Sequence, residues 1–436
     1  MNINPMKRNF GLWLIIFLAA VPIFIWYGME KISLRFISFD QALASIGQVS
    51  GLTGTVLFAL ALILGARAKF LDKIFSGINN AYIYHHDLGA IAFSLLLLHP
   101  VALALRYVLI STQAAFNFLI SGDWVIIAGE AGLLIMMFLL ILTFFSKLRY
   151  QTWKITHKYL GLAFFVSSFH VYFVSSDISQ NVLMRTYILS AIIMGMAAIL
   201  YRSVFPEFLV RKYKYVVEKV ENISENLVEV SMVNTGKKMD YEPGQFIFIR
   251  FKDRVVGDEI HPFSITSSPG DDKVKIAVKA LGDFTSRLKL LKPDTEASVE
   301  GPYGKFSYLN FPPERKQIWI AGGIGIAPFL SMARNLNKSV KYDIDLYYCS
   351  NTREELAFWD ELKEISDKGN GFKILPFCSN ESGYISAEFI LKTSDWNTNA
   401  EIFICGPGAM MNSLKKQFLK LGVKNNSIHM EEFKMY

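Results

Sequence analysis

The pattern of apolar and polar positions divides the chain in two. Residues 10 to 205 are mostly apolar, with long runs nearly free of charge, whereas residues 206 to 436 mix short apolar runs with Lys, Asp, Glu and turn residues. A helix needs about 20 mostly apolar residues to cross a bilayer. Six segments meet that length: 11–29, 45–65, 85–108, 124–145, 157–175 and 182–202. Pro22 falls inside the first, where neighbouring helices can satisfy the carbonyl it frees. The first segment follows Lys7 and Arg8 in the manner of a signal peptide, but it is long for a signal core and no small-residue cleavage site follows. It is therefore expected to remain as a span.

The second half has a different period. "KYVVEKV", "LVEVSMV", "QFIFIRF" and "KVKIAVKA" are β-like runs separated by turns, which predicts a small antiparallel barrel over 211–308. From 316 onward, β-runs alternate with helical segments: "QIWIAGG", a helix over 327–337, "DIDLYYCS", a helix over 354–366, "FKILPFCS", and "EIFICGPG" leading into a last helix. That alternation predicts a parallel α/β layer. The expected fold is multidomain: a six-helix transmembrane bundle (1–205), an antiparallel β-barrel domain (206–312) and a parallel α/β domain (313–436).

Charge then gives a direction. Lys7, Arg8, Arg67, Lys69, Lys73, Lys147, Arg149 and Lys154 lie in loops on one side of the six spans, and Lys31, Arg35 and Arg106 on the other. Short loops rich in Lys and Arg stay cytoplasmic. The N-terminus and the soluble half are thus expected in the cytoplasm, with the bundle multi-pass in the plasma (cell inner) membrane. The net charge of +7 is spread over such loops, and no Arg-rich tract with interleaved aromatics points to nucleic acid. Cys349, Cys378 and Cys405 have neither the number of a disulfide framework nor zinc-site spacing, which fits a reducing compartment.

Four of the seven histidines stand out. "HHDLG" (85–89) and "HKYLG" (157–161) share the pattern His, two residues, Leu, Gly. His99 follows His85 by 14 residues, and His170 follows His157 by 13. At about 1.5 Å per residue each pair is roughly 20 Å apart along its helix. The third and fifth spans run in the same direction, so the four histidines form two levels. Fourteen residues return to within about 40° of one helix face, while thirteen miss by about 140°. The fifth span therefore requires a local irregularity or a different approach of its two rings. Ionisable groups inside a membrane are usually functional, and facing imidazoles are axial ligands of a six-coordinate haem. The expected pairs are His85 with His157 (inner) and His99 with His170 (outer). His86 competes with His85 for the inner place. Gly89 and Gly161, near the inner ligands, could give a flat macrocycle access to the backbone. Interhelical hydrogen-bonding histidines or a proton path are the alternative reading.

In the soluble half, "AGGIGIAPFLSMAR" (321–334) follows a strand and opens a helix. Its glycines permit a tight turn, and a helix N-terminus attracts an anion. Taken with "EPGQFIFIR", "HPFSITSSP", "KALGDFTSRL", "GPYGKF" and "CGPGAMM", the half resembles the ferredoxin–NADP reductase superfamily. Joined to six spans with paired histidines, the whole chain resembles the ferric reductase-like and NADPH oxidase family.

The resemblance implies FAD, two b-type haems and NADPH or NADH. It assigns the flavin motif to His261, Pro262, Phe263 and Ser264, with Ser264 near the isoalloxazine. It gives Gly282 and Thr285 to the flavin pyrophosphate, and Gly322, Gly323, Gly325 and Pro328 to the nicotinamide-nucleotide turn. Cys405, Gly406 and Pro407 fall beside the nicotinamide. A terminal aromatic, Phe433 or Tyr436, would stack on the flavin. Ser350 and Arg353 follow the second strand of the nucleotide domain and could hold a 2′-phosphate, with Glu354 and Glu355 nearby. Leu103 stands where eukaryotic NADPH oxidases carry a further histidine. Arg106, two turns beyond His99, could meet a haem propionate or an anionic ferric chelate.

The implied function is electron transfer from cytoplasmic NAD(P)H through FAD and two haems to an acceptor on the far side, a ferric chelate or molecular oxygen. The alternative is a non-enzymatic membrane haem protein, or a proton- or ion-conducting bundle, with a regulatory flavin-nucleotide domain.

Overall fold

The computed structural model describes residues 10–120, 122–146, 148, 150–337, 339–394 and 399–432. The chain forms two compact units that part between Val210 and Arg211. The expected boundary at 205/206 falls a few residues early, because a short helix, Pro206–Leu209, still belongs to the first unit.

The first unit is helical. Its main helices are α1 (Phe10–Met29), α2 (Phe39–Gly65), α3 (Ile78–Val108), α4 (Trp124–Phe145), α5 (Leu160–Phe173) and α6 (Val182–Ile199). Among the described residues, five helices are long and apolar enough to cross a membrane: α1 to α4, and α6 together with its π-helical extension to Val204. The segment expected as the fifth span is divided. A helix over Tyr150–Lys158 ends at Tyr159 before the 14-residue α5 begins. Around that break the backbone makes i→i+3 bonds, Tyr159 N–H to Thr156 O (3.1 Å) and Leu162 N–H to Tyr159 O (2.9 Å). Such bonds wind the chain more tightly than an α-helix, which adds rotation between His157 and His170 in the direction their spacing lacks.

The central helix is α2, half of whose apolar window is buried against protein, compared with 17% for α3 and for α4. It packs on α1, α3 and α6, while α5 packs chiefly on α4. Phe164 of α5 joins Trp26, Leu52, Val56, Ile188 and Ile192 in one core cluster.

The second unit holds two sheets. Six antiparallel strands, β1 (Tyr213–Ser224), β2 (Leu227–Asn234), β3 (Phe246–Phe251), β4 (Ile260–Ser264), β5 (Lys273–Lys279) and β6 (Glu296–Tyr303), lie in the order β4-β3-β6-β1-β2-β5. Just past β4, Ile265 bridges Ile276 of β5, so the two edge strands approach each other there. A helical turn, α7 (Asp283–Arg287), sits between β5 and β6.

The other sheet is parallel: β7 (Gln317–Gly322), β8 (Ile344–Ser350), β9 (Phe372–Cys378), β10 (Glu401–Cys405) and β11 (Ile428–Glu431), in the order β11-β10-β7-β8-β9. Between its strands run α8 (Ile326–Arg334), α9 (Trp359–Asp367), α10 (Ala387–Thr393) and α11 (Gly408–Lys420). Every residue of β7 and of β10 is buried. Helices on both faces of a parallel sheet cause this, and it explains why the strands read as continuous apolar runs.

Candidate functional site

In the helical unit the four histidines meet in two pairs. The rings of His85 and His157 have centroids 5.9 Å apart, and those of His99 and His170 are 6.4 Å apart. His86 does not join them. It lies exposed beside Phe144 and 3.6 Å from Asp87.

Three of the four rings are oriented by a backbone carbonyl. His85 Nδ1–H donates to Ala61 O (2.7 Å) and His99 Nδ1–H to Gly47 O (2.7 Å), both on α2; His170 Nδ1–H donates to Val125 O (2.9 Å) on α4. A carbonyl can only accept, so Nδ1 carries the proton and Nε2 keeps its lone pair. That is the arrangement by which proteins aim an imidazole at a metal. The fourth ring, His157, stacks on Trp153 at 5.2 Å, and its buried Nδ1 has no partner among the described residues.

The rings fit because glycines face them. A Cβ on Gly51 would stand 2.7 Å from His99 Nδ1, one on Gly129 2.8 Å from His170, and one on Gly65 3.1 Å from His85. These positions escaped the sequence reading, although Gly47, Gly51 and Gly54 recur on one face of α2, the signature of close helix approach. Of the two glycines expected near the inner ligands, Gly89 faces open space, but Gly161 packs against Ile199 of α6 at 3.3 Å. Arg106 is bound to Asp40 at 2.7 Å, so it already has a carboxylate partner.

Among the described residues, no group of three or more His, Cys, Asp or Glu gathers as a metal cluster. Histidine pairs suit a haem all the same, because the macrocycle supplies the remaining ligands. Separations of 5.9 and 6.4 Å between the ring centroids leave room for one metal ion between each pair, at metal–imidazole distances of about 2 Å.

In the antiparallel sheet the flavin motif His261–Ser264 lies on β4, an edge strand, so one side of its backbone is open to a ligand. His261 stacks on Phe284 at 4.0 Å and its Nε2–H donates to Glu259 at 2.8 Å. Ser264 is buried, and its Oγ has no partner among the described residues. A buried hydroxyl left unpaired is destabilising, so this atom is a fitting anchor for a polar ring edge. Thr285 Oγ1 instead accepts from Leu281 N–H and Gly282 N–H, both 3.0 Å, capping the turn before α7.

In the parallel sheet the chain moves from β7 to β8 and β9 on one side, then returns to β10 on the other. Ligands bind at such a switch point, beyond the carboxyl ends of the strands. Gly322–Gly325 and Cys405–Pro407 flank it. The two turns touch through backbone: a Cβ on Gly325 would lie 2.2 Å from Cys405 O, and one on Gly406 3.0 Å from Gly322. Pro328 is buried in the first turn of α8. Burial drives the Cys405 thiol well above its ordinary pKa, with Glu431 adding to it, which favours the protonated thiol. Ser350 ends β8 and donates to Thr352 O (2.6 Å), while Arg353 is exposed and paired with Glu381 (3.1 Å). Phe433 and Tyr436 lie outside the described residues.

Comparison with known families adds the identity of the parts. The model of a ferric reductase like transmembrane component matches residues 50–168, that of an FAD-binding domain 212–307, and that of an oxidoreductase NAD-binding domain 319–416. The chain is similar to the carnitine monooxygenase reductase subunit of Escherichia coli (strain K12), 26% identical over 226 residues, 50% of this chain and 67% of that protein. It is also similar to the 2-halobenzoate 1,2-dioxygenase electron transfer component of Burkholderia cepacia, 27% identical over 214 residues, 46% of this chain and 61% of that one. The chain thus spans 67% and 61% of the length of these two curated relatives.

Among solved structures, a flavohemoglobin from Malassezia yamatoensis superposes with a TM-score of 0.50 at 17% identity, covering 91% of this chain and 99% of that one. A ferredoxin NADP+ reductase from Neisseria gonorrhoeae gives a TM-score of 0.45 at 19% identity, covering 52% of this chain and 100% of that one. In domain content and order the chain matches a ferric reductase-like fusion: a ferric reductase like transmembrane component followed by an FAD-binding domain and an oxidoreductase NAD-binding domain.

Proposed function

We propose that the chain carries electrons across a membrane, from NAD(P)H on the cytoplasmic side through FAD and two b-type haems to a ferric chelate or molecular oxygen on the far side. The observation that carries this reading is the pairing of His85 with His157 and His99 with His170, at 5.9 and 6.4 Å. When bound, FAD converts a two-electron hydride into single electrons, and haem iron passes electrons singly.

The residues divide the work. His85 and His157 would hold the inner haem and His99 and His170 the outer one, with Ala61, Gly47 and Val125 fixing three ring orientations. Ser264 offers its unpaired hydroxyl to the isoalloxazine, and the open edge of β4 offers backbone groups. At Gly282 the pyrophosphate would meet backbone N–H groups, with Thr285 holding the turn in shape. Gly322, Gly323, Gly325 and Pro328 shape the nucleotide turn, and Cys405–Pro407 wall the nicotinamide side. To hold a 2′-phosphate, Arg353 would exchange Glu381 for it, and surface ion pairs of this kind are weak enough to exchange. Both NADPH and NADH therefore remain substrates in this account.

The test is sidedness. Purified protein is placed in sealed liposomes, ferric citrate or ferricyanide is trapped inside, and NAD(P)H is added outside. The account expects the internal acceptor to be reduced as external NAD(P)H is oxidised. Reduction confined to acceptors on the nucleotide's own side would refute it.

A further inference from the structure

The nicotinamide turn and the flavin motif belong to different sheets, and a hydride moves only when its donor and acceptor atoms are about 3–3.5 Å apart and aligned. Something in the second unit must fix one sheet against the other. The turn Gly322–Gly325 leads directly into α8, and the opposite end of α8 is tied to the antiparallel sheet.

Arg334, the last residue of α8, is at the centre of that tie. Its Nη1 donates to Glu229 Oε1 on β2 (2.9 Å) and to Thr266 O (2.9 Å), two residues past Ser264. Its Nε and Nη2 grip the two oxygens of Glu361 on α9 at 2.7 and 2.8 Å. Glu229 is buried and is further bound by Thr266 Oγ1 (3.1 Å) and Lys275 (3.4 Å). Around this centre, Ser331 Oγ donates to Ser267 O (2.7 Å) and Ser268 Oγ to Asn335 (3.0 Å). The Arg334 guanidinium also lies over Phe358, 5.7 Å from its ring, and Phe358 has a backbone φ of +58°. A bulky residue keeps that conformation only where its surroundings over-determine it.

We propose that Arg334 is a positioning residue for hydride transfer: it locks the helix that follows the nucleotide turn to β2 and to the segment that follows the flavin motif, and so sets the approach of NAD(P)H to FAD. The proposal rests on the flavin and nucleotide assignments above. The hydride takes both electrons and its proton from the nicotinamide to the flavin in one move, so an error in approach slows that step directly. α8 is nine residues long, about 13 Å at 1.5 Å per residue. A small tilt released at Arg334 therefore displaces the turn at its other end. Only a planar fork can serve Glu229, Thr266 and Glu361 together, so lysine is no substitute.

The test uses the full-length protein with bound flavin, mixed anaerobically with NADPH and with NADH. Arg334→Gln and Arg334→Lys should each slow the limiting rate of flavin reduction by about tenfold or more, with nucleotide affinity changed less than about threefold. Flavin content should stay at the wild-type level, and without nucleotide the amides of 266–268 should exchange hydrogen faster. Glu361→Gln, on a half-exposed side chain, probes the same tie where an Arg334 variant fails to fold, and should slow reduction by about threefold. Limiting rates within about twofold of wild type, recovery in the lysine variant, or a rate loss that follows flavin loss would overturn the proposal. If wild-type flavin is not reduced by either nucleotide, the underlying assignment falls and the proposal with it.

Discussion

His99 and Gly47 are joined across two helices: the Nδ1–H of His99 on α3 donates to the Gly47 carbonyl on α2 at 2.7 Å. One turn further along α2, Gly51 leaves the space in which the imidazole lies, since a Cβ there would stand 2.7 Å from the same nitrogen. Helix α2 thus orients an imidazole of the outer pair that it does not itself carry.

Gly51→Ala should therefore remove the outer haem and spare the inner one. The methyl overpacks the site, at a cost of about 1–3 kcal/mol, and it displaces the ring from its partner His170. Haem-to-protein ratio and low-temperature difference spectra would register the loss. Retention of both haems would mean that Gly51 is not part of the outer site.

His86 and His85 are adjacent, but only His85 faces His157. His86→Ala should leave both haems and electron transfer intact. His85→Ala should lose the inner haem and with it acceptor reduction, while NAD(P)H still reduces the flavin. Haem content of the two variants, measured side by side, decides between the residues.

Much of this was legible in the sequence, for physical reasons that vary by element. His99 and His170 stood out because apolar surroundings make any ionisable group conspicuous, and the matched "HHDLG" and "HKYLG" marked His85 and His157 as a second level. The two sheets were separable because β-runs joined by turns predict an antiparallel sheet, whereas β-runs alternating with helical segments predict a parallel one. The break at Tyr159 was legible only as an angular misfit between His157 and His170, since hydropathy does not register the winding of a helix. Gly51 and Gly129 were not legible as ligand supports, because what fills a glycine's empty side belongs to another helix. Arg334 was hidden for the same reason: Glu229 lies 105 residues earlier in the chain.

Ser264→Ala separates a role in folding from one in chemistry. The hydroxyl is buried without a partner, and such a group costs about 1–3 kcal/mol. Flavin-free protein should be as stable as wild type or about 1 kcal/mol more stable. Flavin reduction should slow by about tenfold, the effect of one lost hydrogen bond of about 1.5 kcal/mol. Thermal melts and anaerobic stopped-flow measurements check the two halves. A clear loss of flavin-free stability would assign Ser264 to packing alone.

The buried thiols predict a pH dependence. Burial pushes the Cys349 thiol up from 9.0 to about 12, with Cys378 contributing. In the unfolded chain the same thiol ionises at its ordinary pKa, so the unfolded state gains charge first as pH rises. The stabilisation tied to Cys349 is complete below pH 9.0 and is lost progressively as pH climbs toward about 12. Denaturant midpoints for the wild type should fall more steeply over that window than those for Cys349→Ala. Equal slopes would remove the thiol from the account.

The central claim is that paired histidines hold haems which receive their electrons from the nucleotide. The most direct measurement is the absorbance spectrum of purified full-length protein, before and after anaerobic addition of NADPH or NADH. The account predicts two b-type haems per chain with the low-spin bands of bis-histidine ligation, reduced by the nucleotide only when flavin is bound. Protein that carries its flavin but no haem, or haem that stays oxidised while the flavin is reduced, would contradict it.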